Sequence, residues 1–205
     1  ERQVISYASY DELRRELDVF DAMAARAGDA ARLRSGADLI PLQGEAVTPG
    51  YFELLGVVPK MGRTLHPGDD NAGASPVAII SDPLWESQFA SDGNVLGRTL
   101  RLGAGSSFGG RYANTWGDYT IVRVMPLRFT GTGNTWQSAQ YWVPTMVRAL
   151  DHRAALGDRW PLDQRPVVPI GRLRPGVTLA QAGAAVDASG RAILRRSPER
   201  VKEDA

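Results

Sequence analysis

Leu13, Leu17, Phe20 and Ala24 recur at helical spacing and predict one apolar face on a helix from about Tyr10 to Ala27. Ser9 and Glu12 have capping-box spacing at its start, and Gly28 is suited to stop it. Residues 28–37 are small and polar and read as a loop, followed by a strand from Leu39 to Val47. Thr48-Pro49-Gly50 opens a short helix, with Thr48 as cap and Pro49 in the first position. Tyr51, Phe52, Leu54 and Leu55 form its buried side, and Gly56 ends it. The stretch 57–76 is rich in Pro, Gly and Asp and reads as irregular. Val77–Ile80 is a short buried strand, and Ser81-Asp82-Pro83 starts a helix with Trp85 and Phe89 one turn apart.

Thr99–Leu102 and Tyr119–Met125 alternate and read as a strand pair around a long Gly-rich loop, Gly103 to Asp118. Tyr141–Pro144 and Val167–Leu173 are further strands. Thr178 and Gln181 form a second capping box, opening a helix to about Arg195 with Leu179, Ala182, Val186 and Ile193 on its inner face. Gly183 and Gly190 each cost that helix about 1 kcal/mol relative to Ala, so their small size points to tight packing on a sheet. The elements together predict an α+β fold, with long helices at the chain ends and a strand-rich middle.

Composition narrows the function classes. The 205 residues carry 24 basic and 23 acidic side chains, two His and no Cys. One domain or two small subdomains fit that length. No disulfide framework, thiolate zinc site or cysteine nucleophile is available, and two histidines cannot make a three-histidine metal site. The net charge of +1 gives no bulk drive toward nucleic acid. The charge is uneven: residues 1–100 hold 9 basic and 15 acidic side chains, and residues 101–205 hold 15 and 8. Two halves of one fold whose charges partly face each other account for this. No run reaches the roughly 18 apolar residues that span a bilayer. The start Glu-Arg-Gln-Val is neither an initiator Met nor a signal peptide, so the chain reads as a piece of something longer.

Candidate chemistry is sparse. His66-Pro67-Gly68-Asp69-Asp70 gathers three potential ligands or acid/base groups, in a string that is equally ordinary turn chemistry. His152 stands beside Asp151 and Arg153 with no motif around it. Gly103 to Gly110 is glycine-rich, but Phe108 stands where a dinucleotide loop has its third glycine, and no Gly-Lys-Ser/Thr follows. No nucleophile elbow and no His-Glu-x-x-His pair occurs. Catalytic residues, metal ligands and cofactor-binding residues are therefore assigned to none. The remaining signal is aromatic. Phe108, Tyr112, Trp116 and Tyr119 lie in or beside the long loop, and Trp136 and Trp142 in or beside the Gly/Thr-rich stretch 130–140. Such aromatics either contact a partner or cover the edge of a small core. Phe108, Tyr112, Trp116 and Trp136 are the candidate partner-contact residues.

Several segments, taken in order, resemble one family. They are Val47-Thr48-Pro49-Gly50-Tyr51-Phe52-Glu53-Leu54-Leu55-Gly56-Val57, Gly62-Arg63-Thr64-Leu65 with Asp69-Asp70, and Pro76-Val77-Ala78-Ile79-Ile80-Ser81 with Leu84-Trp85. Asn94-Val95-Leu96-Gly97-Arg98-Thr99-Leu100-Arg101-Leu102 and Tyr119-Thr120-Ile121-Val122-Arg123-Val124-Met125-Pro126 follow. Trp142-Val143-Pro144 and Gly171-Arg172-Leu173-Arg174-Pro175-Gly176-Val177-Thr178-Leu179-Ala180-Gln181-Ala182 complete the set. Over about residues 7–195 the chain resembles the MacB-like periplasmic core domain of ABC-transporter permeases, the group with LolC/LolE and FtsX relatives.

The resemblance implies a domain between the first and second transmembrane helices of a permease, on the periplasmic face of a bacterial inner membrane. It implies a helix-and-strand Porter-like layer from both chain ends, 1–62 plus 165–205, and an inserted smaller α/β Sabre-like subdomain, 63–164. It implies no catalysis and no bound cofactor. The implied partners are a second permease copy, a cytoplasmic ABC ATPase acting through the membrane helices, and a periplasmic adaptor or exported substrate. Two departures stand out: the hairpin loop, usually a tight turn, is extended across 103–118, and Arg123 stands where the family commonly has Gly. The extended loop is the expected recognition element. The competing readings are a free-standing extracytoplasmic domain that binds a peptide, glycan or lipid, and a hydrolase using His66 with Asp69 or Asp70.

Overall fold

The computed structural model describes residues 4–71, 73–104, 115–133, 138–149 and 165–196. The chain runs β1 (Ile5–Ser6), α1 (Tyr7–Glu16), β2 (Phe20–Ser35), β3 (Asp38–Val47), α2 (Tyr51–Leu54) and β4 (Met61–Gly62). A 3-10 turn at Pro67–Asp70 leads to β5 (Val77–Ile80), α3 (Asp82–Phe89), β6 (Thr99–Ala104), β7 (Trp116–Val124) and β8 (Tyr141–Pro144). Residues 145–149 are helical (α4), and β9 (Pro166–Leu173) and α5 (Leu179–Arg196) follow. Helix and strand mix as the α+β reading requires.

The strands form one sheet in the order β1-β9-β2-β3-β8-β5-β7-β4, with β6 bridging β2 and β7. Strands β3 and β8 are parallel, as are β5 and β7. The long β2 is shared along its length: residues up to Arg26 pair with β9, and Ala31–Leu33 pair with β6. A ring β2–β3–β8–β5–β7–β6 therefore closes back on β2 with every step hydrogen-bonded. Alternate residues of these strands feed two apolar clusters. Ala31, Leu33, Leu102, Tyr119, Ile121 and Val143 belong to one, and Val47, Ile79, Met125 and Trp142, with Tyr51 and Phe52 of α2, belong to the other. All four residues of β5 are buried because both of its faces are covered.

Four expectations are corrected. The first helix ends at Glu16, and its cap is Ser6, whose Oγ accepts from the Ser9 amide at 3.2 Å. The predicted apolar face straddles that end: Leu13 lies on α1, and Phe20 and Ala24 lie on β2. Residues 28–35, read as loop, continue β2, which pairs with β3 down to Ser35 and Asp38. The reversal needs only residues 36–37, with Gly36 at φ +60. Long-range pairing overrides the helical bias of the Ala and Arg content. Thr48 does not cap α2: Gly50 is the cap residue, and the Thr48 Oγ1 instead accepts from the Ala25 amide at 2.9 Å, tying α2's entry to β2. The α5 register is also partly different. Ala182 and Ile193 are buried, but Leu179 is 82% exposed, and open space surrounds the positions a Cβ would take at Gly183 and Gly190. Helix α5 lies against α1, where Ser189 and Arg196 both donate to the Glu16 carboxylate at 2.7 Å. Those bonds hold Glu16 below the usual carboxylate range.

Local signals elsewhere agree with the structure. Ser81 caps α3 by accepting from the Leu84 amide, and Thr178 and Gln181 form the expected reciprocal box. The predicted hairpin forms with Thr99 opposite Thr120, but its strands run on into the segment read as loop, as far as Gly103 opposite Trp116.

Candidate functional site

Trp116 is the candidate contact residue whose surroundings are described. Its ring lies over Gly103 on the neighbouring strand, where a Cβ would come within 3.0 Å of the indole. With no side chain there, the indole lies across β6 toward β2 and meets two guanidiniums. The Arg34 Cζ is 4.5 Å from the ring centroid and the Arg32 Cζ 5.8 Å, both within cation–π reach. Arg32 pairs with Gly103 in the β2–β6 ladder, so Arg32, Arg34 and Trp116 share one face of the sheet. Two residues along on β6 and β7, Arg101 and Asp118 are opposite one another and 3.5 Å apart, both about half exposed. Phe108, Tyr112 and Trp136 lie outside the described residues, as does His152. Tyr119, one of the loop-flanking aromatics, is fully buried in the core, and Trp142 likewise.

The acid/base cluster is taken apart by its own bonds. Asp69 accepts from both terminal nitrogens of Arg63, at 2.6 and 2.9 Å, and from the His66 amide at 2.7 Å. The Arg63 pairing holds its carboxyl below the usual range. Asp70 points the other way and is buried, with Oδ1 accepting from the Met146 amide at the start of α4 at 2.6 Å. Burial lifts its carboxyl to about 7, against the backbone bonds from residues 146 and 147. No group of three metal-ligating side chains occurs among the described residues.

The most developed polar arrangements were not singled out from sequence. Asp29 on β2 is fully buried and accepts through Oδ2 from Arg148 Nε at 2.7 Å and from the Tyr141 hydroxyl at 2.6 Å. Arg165 approaches Oδ1 at 3.9 Å. Burial and the Asp29 charge push the Tyr141 hydroxyl well up, so it stays a donor. On the next stretch of sheet, Glu45 Oε2 accepts from the Tyr51 hydroxyl at 2.9 Å and Trp142 Nε1 at 2.8 Å, and Arg26 stands 3.6 Å from Oε1. Gly131 and Gly133 let the 130–133 loop close over this carboxylate, since a Cβ at either would fall within 3 Å of it. The available signal was a charged residue inside a strand-like run at 45; Asp29 falls in the segment read as loop and gave none. Arg123, the departure from the family pattern, is 0% exposed: its Nη2 donates to the Val57 carbonyl at 2.8 Å, and its Cζ lies 4.7 Å from the Phe52 ring centroid. These bonds and packings cross between elements and bind them together.

A family model described as the MacB-like periplasmic core domain matches residues 1–189. No curated protein matches the chain in sequence. Among solved structures, the periplasmic region of MacB from Actinobacillus actinomycetemcomitans is similar at TM-score 0.65 and 14% identity, over 93% of this chain and 75% of that one. The extracellular domain of the noncanonic ABC-type transporter YknZ from Gram-positive bacteria is similar at TM-score 0.61 and 15% identity, over 94% and 84%. A domain of a putative permease protein from Porphyromonas gingivalis is similar at TM-score 0.59 and 17% identity, over 95% and 76%. At these identities the structures speak to the fold.

Proposed function

The chain belongs to the MacB-like periplasmic core domain family, and from that premise we propose that it is the extracytoplasmic domain of an ABC-transporter permease, on the periplasmic face of the inner membrane. It performs no chemistry of its own. A cytoplasmic ATPase moves the transmembrane helices, and the domain passes that movement to an exported substrate or a periplasmic adaptor, with a second permease copy beside it. The family match along nearly the whole chain carries this reading. The division into 1–62 plus 165–205 and 63–164 belongs to it, as two regions of the chain built around a shared sheet: β3 of the first pairs with β8 of the second. Phe108, Tyr112, Trp116 and Trp136 are the proposed partner contacts. Trp116 supports that role, because it stands where the extended loop rejoins the sheet.

Reading the gene on both sides of Glu1 and Ala205 tests the proposal. One apolar span of about 20 residues before Glu1 and three after Ala205 are expected. A signal peptide before Glu1 and a stop codon soon after Ala205 would replace it with the free-standing binding domain. For the contact role, the test is deletion of 104–117. Transport or partner binding should fall while the domain stays folded, and undiminished activity would overturn it.

A further inference from the structure

We propose that the face around Trp116 docks an acidic segment of a partner polypeptide; the inference deepens the partner-contact role of Trp116 and rests on it. Among the described residues, Arg34 and Arg101 share this face with one carboxylate, Asp118, which pairs with Arg101, and Arg32 stands beside the same indole. Arg34 is exposed and makes no ion pair among the described residues, and its Cζ stands 4.5 Å from the indole centroid. A stacked guanidinium has already given up much of its rotamer freedom, so less is lost when a carboxylate binds it in the fork geometry that Arg presents. Leu39 and Pro41, opposite Arg34 and Arg32 on β3, are exposed beside them and add apolar contact. Arg and Trp are the residue types that concentrate binding energy in protein interfaces.

The exposed Arg34, without an ion pair among the described residues, selects an anionic occupant, and the setting selects a polypeptide over a lipid surface. Basic surfaces that bind anionic lipid gather roughly four to eight Lys and Arg beside an apolar face that enters the bilayer. Here the indole lies against Gly103, and the arginines beside it are carried by two strands and are fewer than such a patch uses. The arrangement is a small set of strand-borne charges beside one aromatic ring, which suits discrete side-chain carboxylates.

A fluorescein-labelled glutamate-rich peptide is the probe, titrated with the 205-residue chain at low and at physiological salt, with a lysine-rich peptide as control. Phosphatidylglycerol vesicles are tested in parallel by flotation. Saturable, salt-weakened binding of the acidic peptide alone is expected. Arg34→Glu and Trp116→Ala should each weaken it by about tenfold or more, as for central interface residues. Arg191→Glu, an exposed change of the same charge on α5, should leave it nearly unaltered. Arg34→Glu carries the test if Trp116→Ala fails to fold. No peptide binding, an equal effect of Arg191→Glu, or vesicle binding lost in Arg34→Glu without peptide binding would each overturn the inference. Peptide binding lost on deletion of 104–117 but intact in Arg34→Glu would overturn it while leaving the partner-contact role standing.

Discussion

Asp29 holds three elements with one carboxylate: β2, which carries it, α4 through Arg148 and β8 through Tyr141. Burial pushes the Arg148 guanidinium down, but the Asp29 charge outweighs it, so Arg148 stays charged. Taking away the acid strands Arg148 and leaves Arg165 without its nearby charge. Asp29→Asn should therefore cost about 3–5 kcal/mol in urea unfolding, as for one partner of a buried pair. The double change Asp29→Leu with Arg148→Met should recover part of that loss, because the Arg148 charge goes with its partner, while the buried Arg165 still lacks its nearby carboxylate. Asp70 gives a pH signature of the opposite kind from a paired surface acid. Its carboxyl is lifted from 3.8 to about 7, first by burial, so the folded chain binds this proton more tightly than the unfolded one. Its contribution to stability is complete below pH 3.8 and is lost as the pH rises toward about 7. Thermal unfolding measured from pH 5 to 8 should show wild type losing stability across that interval, and Asp70→Asn should flatten the slope.

Between residues and the whole, the elements separate into those with local punctuation and those without. Thr178 with Gln181, Ser81 before Pro83, and the Gly56 stop at φ +67 are chemistry within a few residues, and each was legible in sequence. Thr178→Ala should cost α5 about 1 kcal/mol, read as a lower melting temperature. The β2 hairpin lacked such a signal. Ala, Arg and Gly fill Phe20–Ser35, and nothing within that segment states that ten consecutive pairs with β3 await it. The site divides in the same way. Trp116 was visible as an aromatic beside a glycine-rich loop, but Arg32 and Arg34 join it only because β2 passes beside β6, some 70 positions away. Asp29 and Glu45 were missed for the same reason, since their partners lie on β8 and α4 or on α2 and β8. Glycine at 62 is a tertiary signal too. It sits at φ +90 in β4, and a Cβ there would be 2.1 Å from the Val122 carbonyl oxygen on β7. Gly62→Ala should destabilise by more than ~1 kcal/mol, the cost of the left-handed backbone alone, and should loosen amide-exchange protection at residues 122–124.

At the scale of the molecule, the ring of strands is closed by a three-pair ladder, Ala31–Leu33 of β2 with Leu102–Ala104 of β6. Those three pairs join segments far apart in sequence. They also seat the β6–β7 hairpin, and with it Trp116, against the arginines of β2. If the closure governs the platform, fixing it should stabilise the fold and leave the face intact. The chain has no cysteine, so a designed bridge has no competing thiols. Ala31 and Ala104 are cross-strand partners in the ladder. Ala31→Cys with Ala104→Cys should oxidise without added catalyst, as an intramolecular bond across directly paired strands. The long loop it encloses should add about 2–4 kcal/mol to stability, reversed by reductant. Acidic-peptide affinity should be unchanged or improved in the oxidised form, because the bridge lies in the backbone frame and removes no guanidinium from the face. A pair that stays reduced under air would mean that β6 does not rest on β2 in solution. The Trp116–Arg34 stack would then form only when a partner brings the two strands together.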